Sequence, residues 1–156
     1  MKINIMIIAL IFISCTKKNI NSIVIQNDRS SEINLFEGEY VIHFMSKEDS
    51  KYKFPIEREE ILEIKNTYER ENIFDYGKEL IVEEEEVFSM PLSDAKYIIH
   101  FEDGTKQIII VRTDFVKNPL NMKKYRQLKK FIDKINDIIK SKKEIQSAPK
   151  SDVFYL

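Results

Sequence analysis

The dipeptide Asp103-Gly104 lies between two runs rich in β-branched and aromatic residues: Tyr97-Ile98-Ile99-His100-Phe101 before it and Gln107-Ile108-Ile109-Ile110-Val111 after it. A two-residue hairpin turn needs positive φ at both central positions, which Asp and Gly tolerate, so the segment predicts a type I′ hairpin. The turn also predicts a register, in which Glu102 faces Thr105, Phe101 faces Lys106, His100 faces Gln107 and Ile99 faces Ile108. Cross-strand neighbours share a face. Tyr97, Ile99, Phe101, Ile108 and Ile110 are thus expected on the core side, with His100, Gln107, Glu102 and Thr105 on the other.

An earlier segment resembles the first of these runs. Tyr40-Val41-Ile42-His43-Phe44 recurs 57 residues on, from 40 to 97, as Tyr97-Ile98-Ile99-His100-Phe101. A turn-rich stretch, a returning strand and a helical pattern follow each copy, which suggests a ββα unit used twice. Pro55 opens the first helix, expected over 56–70, where Ile61, Ile64 and Tyr68 keep i, i+3, i+7 spacing. Asn118-Pro119 starts the second with a capping residue and a first-turn proline. Tyr125, Leu128, Phe131, Ile132, Ile135, Ile138 and Ile139 then mark one apolar face. Between the helices, Leu80-Ile81-Val82 and Val87-Phe88 predict one or two strands. The expected fold is α+β, an antiparallel sheet of hairpins packed against two helices.

Composition narrows the function classes. With 43% hydrophobic residues, three Gly and four Pro, the 156-residue chain is neither collagen-like nor of disordered composition. It carries 25 basic and 26 acidic residues, a net of −1, so there is no overall electrostatic case for nucleic acid. A single Cys excludes an intrachain disulfide framework and a multi-Cys zinc site. His43 and His100 would hold equivalent positions in the repeat and so could approach one another on one face, yet no H-x-x-x-H or H-E-x-x-H spacing accompanies them. No G-x-S-x-G is present, and Gly38, Gly77 and Gly104 suit a strand entrance, a loop and a hairpin rather than a phosphate cradle. The expectation is a protein without enzymatic activity, cofactor or metal.

Charge is segregated along the chain. Residues 57–86 hold 12 acidic and 4 basic side chains, a net of −8, whereas 119–143 hold 9 basic and 2 acidic, a net of +7. Solvation and mutual attraction within the fold account for most of this. The run Glu83, Glu84, Glu85 and Glu86 is the candidate partner-binding surface, because such patches steer association with oppositely charged proteins. It lacks the spacing of a Ca²⁺ loop. The lysine-rich second helix has the composition of a lipid-surface helix, but a small α+β domain needs its apolar face for the core.

The N-terminus sets location. Lys2 precedes nine apolar residues, Ile5 to Ile13, which is too short to span a bilayer and suits a signal-peptide hydrophobic region. Phe12-Ile13-Ser14-Cys15 resembles the lipobox of bacterial lipoproteins, with Phe12 where Leu is usual. The resemblance implies cleavage before Cys15 and attachment of diacylglycerol to its thiol. Two or three acyl chains would hold the protein firmly on a membrane. Composition resembles lipoproteins of AT-rich bacteria such as the Bacteroidota. Thr16-Lys17-Lys18-Asn19 lacks the acids of their surface-export pattern, so a periplasm-facing outer-membrane location is expected. The expected organisation is a signal peptide at 1–14, lipidated Cys15 and a tether over 15–32, one α+β domain over 33–143 and a mobile tail over 144–156. Ile23-Val24-Ile25 is read as an edge strand. The resulting expectation is a lipid-anchored, protein-binding module of inhibitor or immunity type. The alternative is a structural or assembly accessory of the outer membrane.

Overall fold

A computed structural model of the chain describes residues 18–82, 94–112 and 122–153. The elements are β1 (Ile20–Asn27), β2 (Ser31–Asn34), β3 (Glu39–Ile42), β4 (Ser50–Lys53), α1 (Arg58–Arg70), a 3-10 turn (Ile73–Tyr76), β5 (Glu79–Val82), β6 (Asp94–Phe101), β7 (Lys106–Arg112), α2 (Met122–Ser141) and α3 (Lys143–Gln146). The strands form one seven-stranded sheet in the order β4-β3-β2-β1-β6-β7-β5. Six are antiparallel, and β5 joins the far edge parallel to β7. Two main helices on a mostly antiparallel sheet make the fold α+β.

The domain starts earlier than its composition suggests. Residues 20–27, expected in a tether with at most an edge strand, form the strand nearest the middle of the sheet, paired to β2 on one side and β6 on the other. Ile23 is fully buried and Ile25 nearly so. Asn27 to Ser31, a polar stretch inside the expected tether, forms the turn joining β1 to β2. Asp28 takes a left-handed conformation (φ 47°) and Ser30 N–H donates to Asn27 O at 3.0 Å.

The Asp103-Gly104 hairpin exists with a different register. Phe101 N–H donates to Thr105 O at 2.9 Å and Gly104 N–H to Phe101 O at 3.0 Å, so Glu102, Asp103 and Gly104 form a three-residue loop. Gly104 supplies the left-handed residue (φ 78°) that such loops place after a type I turn. Ile98 pairs with Ile108 and Ile99 with Gln107, one position from the two-residue register. Because side chains alternate with period two, that slip reverses β7. Gln107, Ile109 and Val111 face the core; Ile108 and Ile110 face away.

The internal repeat extends to the pairing. Tyr40 pairs with Tyr52 and Tyr97 with Ile109; Val41 pairs with Lys51 and Ile98 with Ile108; Ile42 pairs with Ser50 and Ile99 with Gln107. Both hairpins therefore keep one register at the 57-residue offset. On their inner sides Tyr40 pairs with Ile33 and Tyr97 with Ile25, and Ile25 pairs with Ile33. An approximate twofold axis through the sheet between Ile25 and Ile33 thus relates β2-β3-β4 to β1-β6-β7, with α1 following one set and α2 the other.

The helices cover the face bearing Ile23, Ile25, Ile33, Tyr97, Ile99, Phe101 and Ile109. Leu128, Phe131, Ile132 and Ile135 of α2 are buried against it with Ile64 and Tyr68 of α1. Tyr68 sits edge-on to Phe131, ring centroids 5.4 Å apart, and tilted against Phe101 at 6.1 Å. The polar Gln107, 1% exposed, is satisfied within this core. Tyr68 OH donates to its Oε1 at 2.8 Å, and its Nε2 donates to Ile73 O at 3.1 Å and Gly77 O at 2.6 Å.

Candidate interaction surfaces

The helices' contacts fall on one side of the sheet, and the opposite side carries a distinct pattern. Val24, Ile98 and Ile108 lie side by side across β1, β6 and β7, with Ile110 two residues along β7. All four are half-buried. The neighbouring row is polar except at Val41: Lys51, Val41, Glu32, Gln26 and Lys96 run across β4, β3, β2, β1 and β6. Gln26 donates to Glu32 at 2.9 Å and Lys53 pairs with Glu39 at 2.9 Å. Beside Val24, the buried Oδ1 of Asn34 has no hydrogen-bond partner among the described residues. The reading of Ile108 and Ile110 as core residues hid this surface, because the one-residue slip that buries Gln107 is what turns them outward.

At the β6–β7 turn the chain entering β1 is fastened down. Lys18 Nζ lies 2.8 Å from Asp103 Oδ2, donates to Thr105 Oγ1 at 2.6 Å, and sits over the rings of Phe74 (5.2 Å) and Phe101 (5.3 Å). Glu102 N–H donates to Asn19 O at 3.0 Å and Asn19 Nδ2 to Glu102 Oε2 at 3.1 Å. The hydrogen bond from Lys18, with those from Thr105, holds the Asp103 carboxyl down at about 2. Cys15 lies outside the described residues, three positions before this latch.

The opposite end of the sheet holds His43, so the two histidines of the repeat do not meet. His100 is paired with Ser22 and Lys106 near the Asp103 turn, while His43 N–H donates to Ser30 O beyond the other end of β1. His43 Nδ1 contacts Asp49 Oδ2 at 2.7 Å. That bond holds Asp49 below the usual carboxylate range. The C-terminal segment, expected to be mobile, docks here. Asp152 accepts from the backbone N–H of Met45 at 2.7 Å and of Ser46 at 3.3 Å, and Ser151 donates to His43 O at 2.6 Å. No cluster of potential metal ligands occurs among the described residues, and none of their helices is long and apolar enough to cross a membrane.

Segregated charge along the chain becomes pairing between helices. Lys134 reaches Glu63 at 3.0 Å, Lys130 reaches Glu71 at 3.3 Å, and Lys142 reaches Glu60 at 2.7 Å, its side chain only 9% exposed. Burial would raise the Glu60 carboxyl, but Lys142 and the Glu57 N–H outweigh it and hold it low. The candidate run Glu83–Glu86 lies outside the described residues, as do Val87-Phe88, the Asn118-Pro119 start of the second helix and residues 154–156. No family model matches the chain, and neither a curated protein nor a solved structure is detectably similar to it.

Proposed function

We propose that the protein is a lipid-anchored lipoprotein of the bacterial envelope that binds another protein without enzymatic chemistry, in the manner of an inhibitor or immunity protein. The anchoring half rests on the apolar run from Ile5 to Ile13 ending at Ser14-Cys15. The observation that carries the binding half is the sheet face opposite the helices. There a row of Val24, Ile98 and Ile108 adjoins mixed charges and an acceptor on Asn34 that lacks a partner among the described residues. Apolar anchors inside a polar surround are the usual make-up of a protein interface. Glu83 to Glu86 follow β5 in the sequence, and an acidic run of this kind would steer a basic partner towards the protein.

Affinity capture from envelope extracts with residues 16–156 tests the reading. Ile98→Asp and Ile108→Asp are expected to lose the partner that the unsubstituted protein retains while keeping the far-ultraviolet circular dichroism of a folded chain, because both side chains face away from the core. Changing Glu83, Glu84, Glu85 and Glu86 to Gln is expected to slow association and flatten its salt dependence. Equal capture by all three would overturn the binding surface.

A further inference from the structure

We infer that the Asp103-turn end of the domain, with Phe74 at its centre, lies against an anionic membrane surface and so fixes how the anchored protein stands on the bilayer. The inference rests on the lipid-anchored reading and adds an orientation to it. Its first support is chain length. From Cys15 to Lys18 is three residues, and a fully extended chain of that length reaches at most ~11 Å. Lys18 is latched to Asp103 and Thr105, so a lipid on Cys15 leaves the β6–β7 turn close to the headgroups. The opposite end, with Met45, is held away by the length of the sheet.

The chemistry of this end is the second support. Phe74 is 44% exposed, one of three large apolar side chains in that state among the described residues, and the only one of them beside the latch. It stands edge-on to the buried Phe101 at 5.9 Å. Exposed lysines lie at this end of the molecule. Lys106 begins β7 on the sheet face that carries Ile108, Lys78 follows the 3-10 turn that holds Phe74, and Lys124 lies over the Tyr76 ring at 5.0 Å. Of the acids nearby, Asp103 is paired with Lys18, while Glu102, which accepts from the neutral Asn19 amide, and Asp75 are exposed and keep their charges; Lys78, Lys106 and Lys124 outnumber those two carboxylates. An exposed aromatic ring with lysines at the same end of the molecule suits the interfacial zone, where rings settle at headgroup depth and ammonium groups meet lipid phosphates.

The chain contains no Trp, so single reporters can be placed without background. The full lipidated protein carrying Phe74→Trp or Met45→Trp is reconstituted into anionic vesicles whose acyl chains carry bromine. Trp at 74 is expected to shift to the blue and lose at least half its emission to the brominated lipid, while Trp at 45, a 70%-exposed site, stays unquenched. Adding Lys106→Glu and Lys124→Glu to the Phe74→Trp chain should reduce its quenching several-fold. Vesicle-bound protein with Trp at 74 unquenched, or with both reporters quenched equally, would overturn the orientation and leave anchoring intact. Protein that carries no lipid and does not float with vesicles would remove the anchored reading and the orientation together.

Discussion

Gly38 joins β2 to β3 with φ at 60°, and a Cβ there would stand 2.1 Å from the Phe54 carbonyl oxygen. Its own carbonyl accepts from Phe54 N–H at 2.8 Å, so the two backbones cannot separate without losing that bond. Gly38→Ala is expected to cost at least ~1–3 kcal/mol in chemical denaturation. Tyr68→Phe should cost ~1–3 kcal/mol, because it leaves the buried Gln107 Oε1 without its donor. Lys142→Met breaks a largely buried pair with Glu60 and is expected to destabilise by ~1–3 kcal/mol. Lys134→Met removes an exposed pair and should cost ~0–1 kcal/mol. Tyr97 titrates in the alkaline range: burial, opposed by the Asn136 hydrogen bond, pushes its phenol up to about 12. A raised phenol favours the folded state fully below its ordinary value near 10. That stability is lost as pH rises from about 10 to about 12, by ~3 kcal/mol, and Tyr97→Phe should remove this component from urea melts.

Among the elements, the second helix was the most legible, because seven apolar residues keep helical spacing over successive turns. Leu128→Ala and Phe131→Ala are each expected to cost ~2–5 kcal/mol, since both side chains are buried against the sheet. Unchanged thermal midpoints for both would show that this face does not form the core. The first strand was legible as a strand and misread in place. Ile23-Val24-Ile25 is too short a run to distinguish a centre from an edge, and pairing on both sides depends on residues more than 60 positions away in β6. Asn27 to Ser31 looked like a linker because turn and linker share a polar composition. The hairpin register failed for a related reason: Asp-Gly fits both a two-residue and a three-residue loop, and the hydrogen bonds to Gln107 that favour the second come from distant segments. His43 and His100 were correctly paired as repeat positions, but the twofold that relates them sends them to opposite ends.

For the molecule as a whole, the latch at Asp103 ties the segment that precedes β1 to the sheet. Asp103 is lowered to about 2, chiefly by the Lys18 hydrogen bond, so the latch is fully present above the ordinary carboxylate value near 4 and is lost as pH falls through about 2. Protease protection of the segment around Lys18 should persist at pH 5 and vanish in Lys18→Ala at neutral pH. The charge pairs of Glu60, Glu63 and Glu71 with Lys142, Lys134 and Lys130 account within the fold for part of the segregation that suggested an external partner, which leaves the open sheet face and Glu83–Glu86 as the proposed contact. The envelope reading and the proposed orientation rest on attachment through Cys15, and mass analysis of membrane-fractionated protein tests that most directly. The account predicts a membrane-bound chain that begins at Cys15 and carries a diacylglycerol mass, and a Cys15→Ser variant that leaves the membrane fraction. An unmodified Cys15 with residues 1–14 still attached, or a Cys15→Ser chain that fractionates as before, would contradict it.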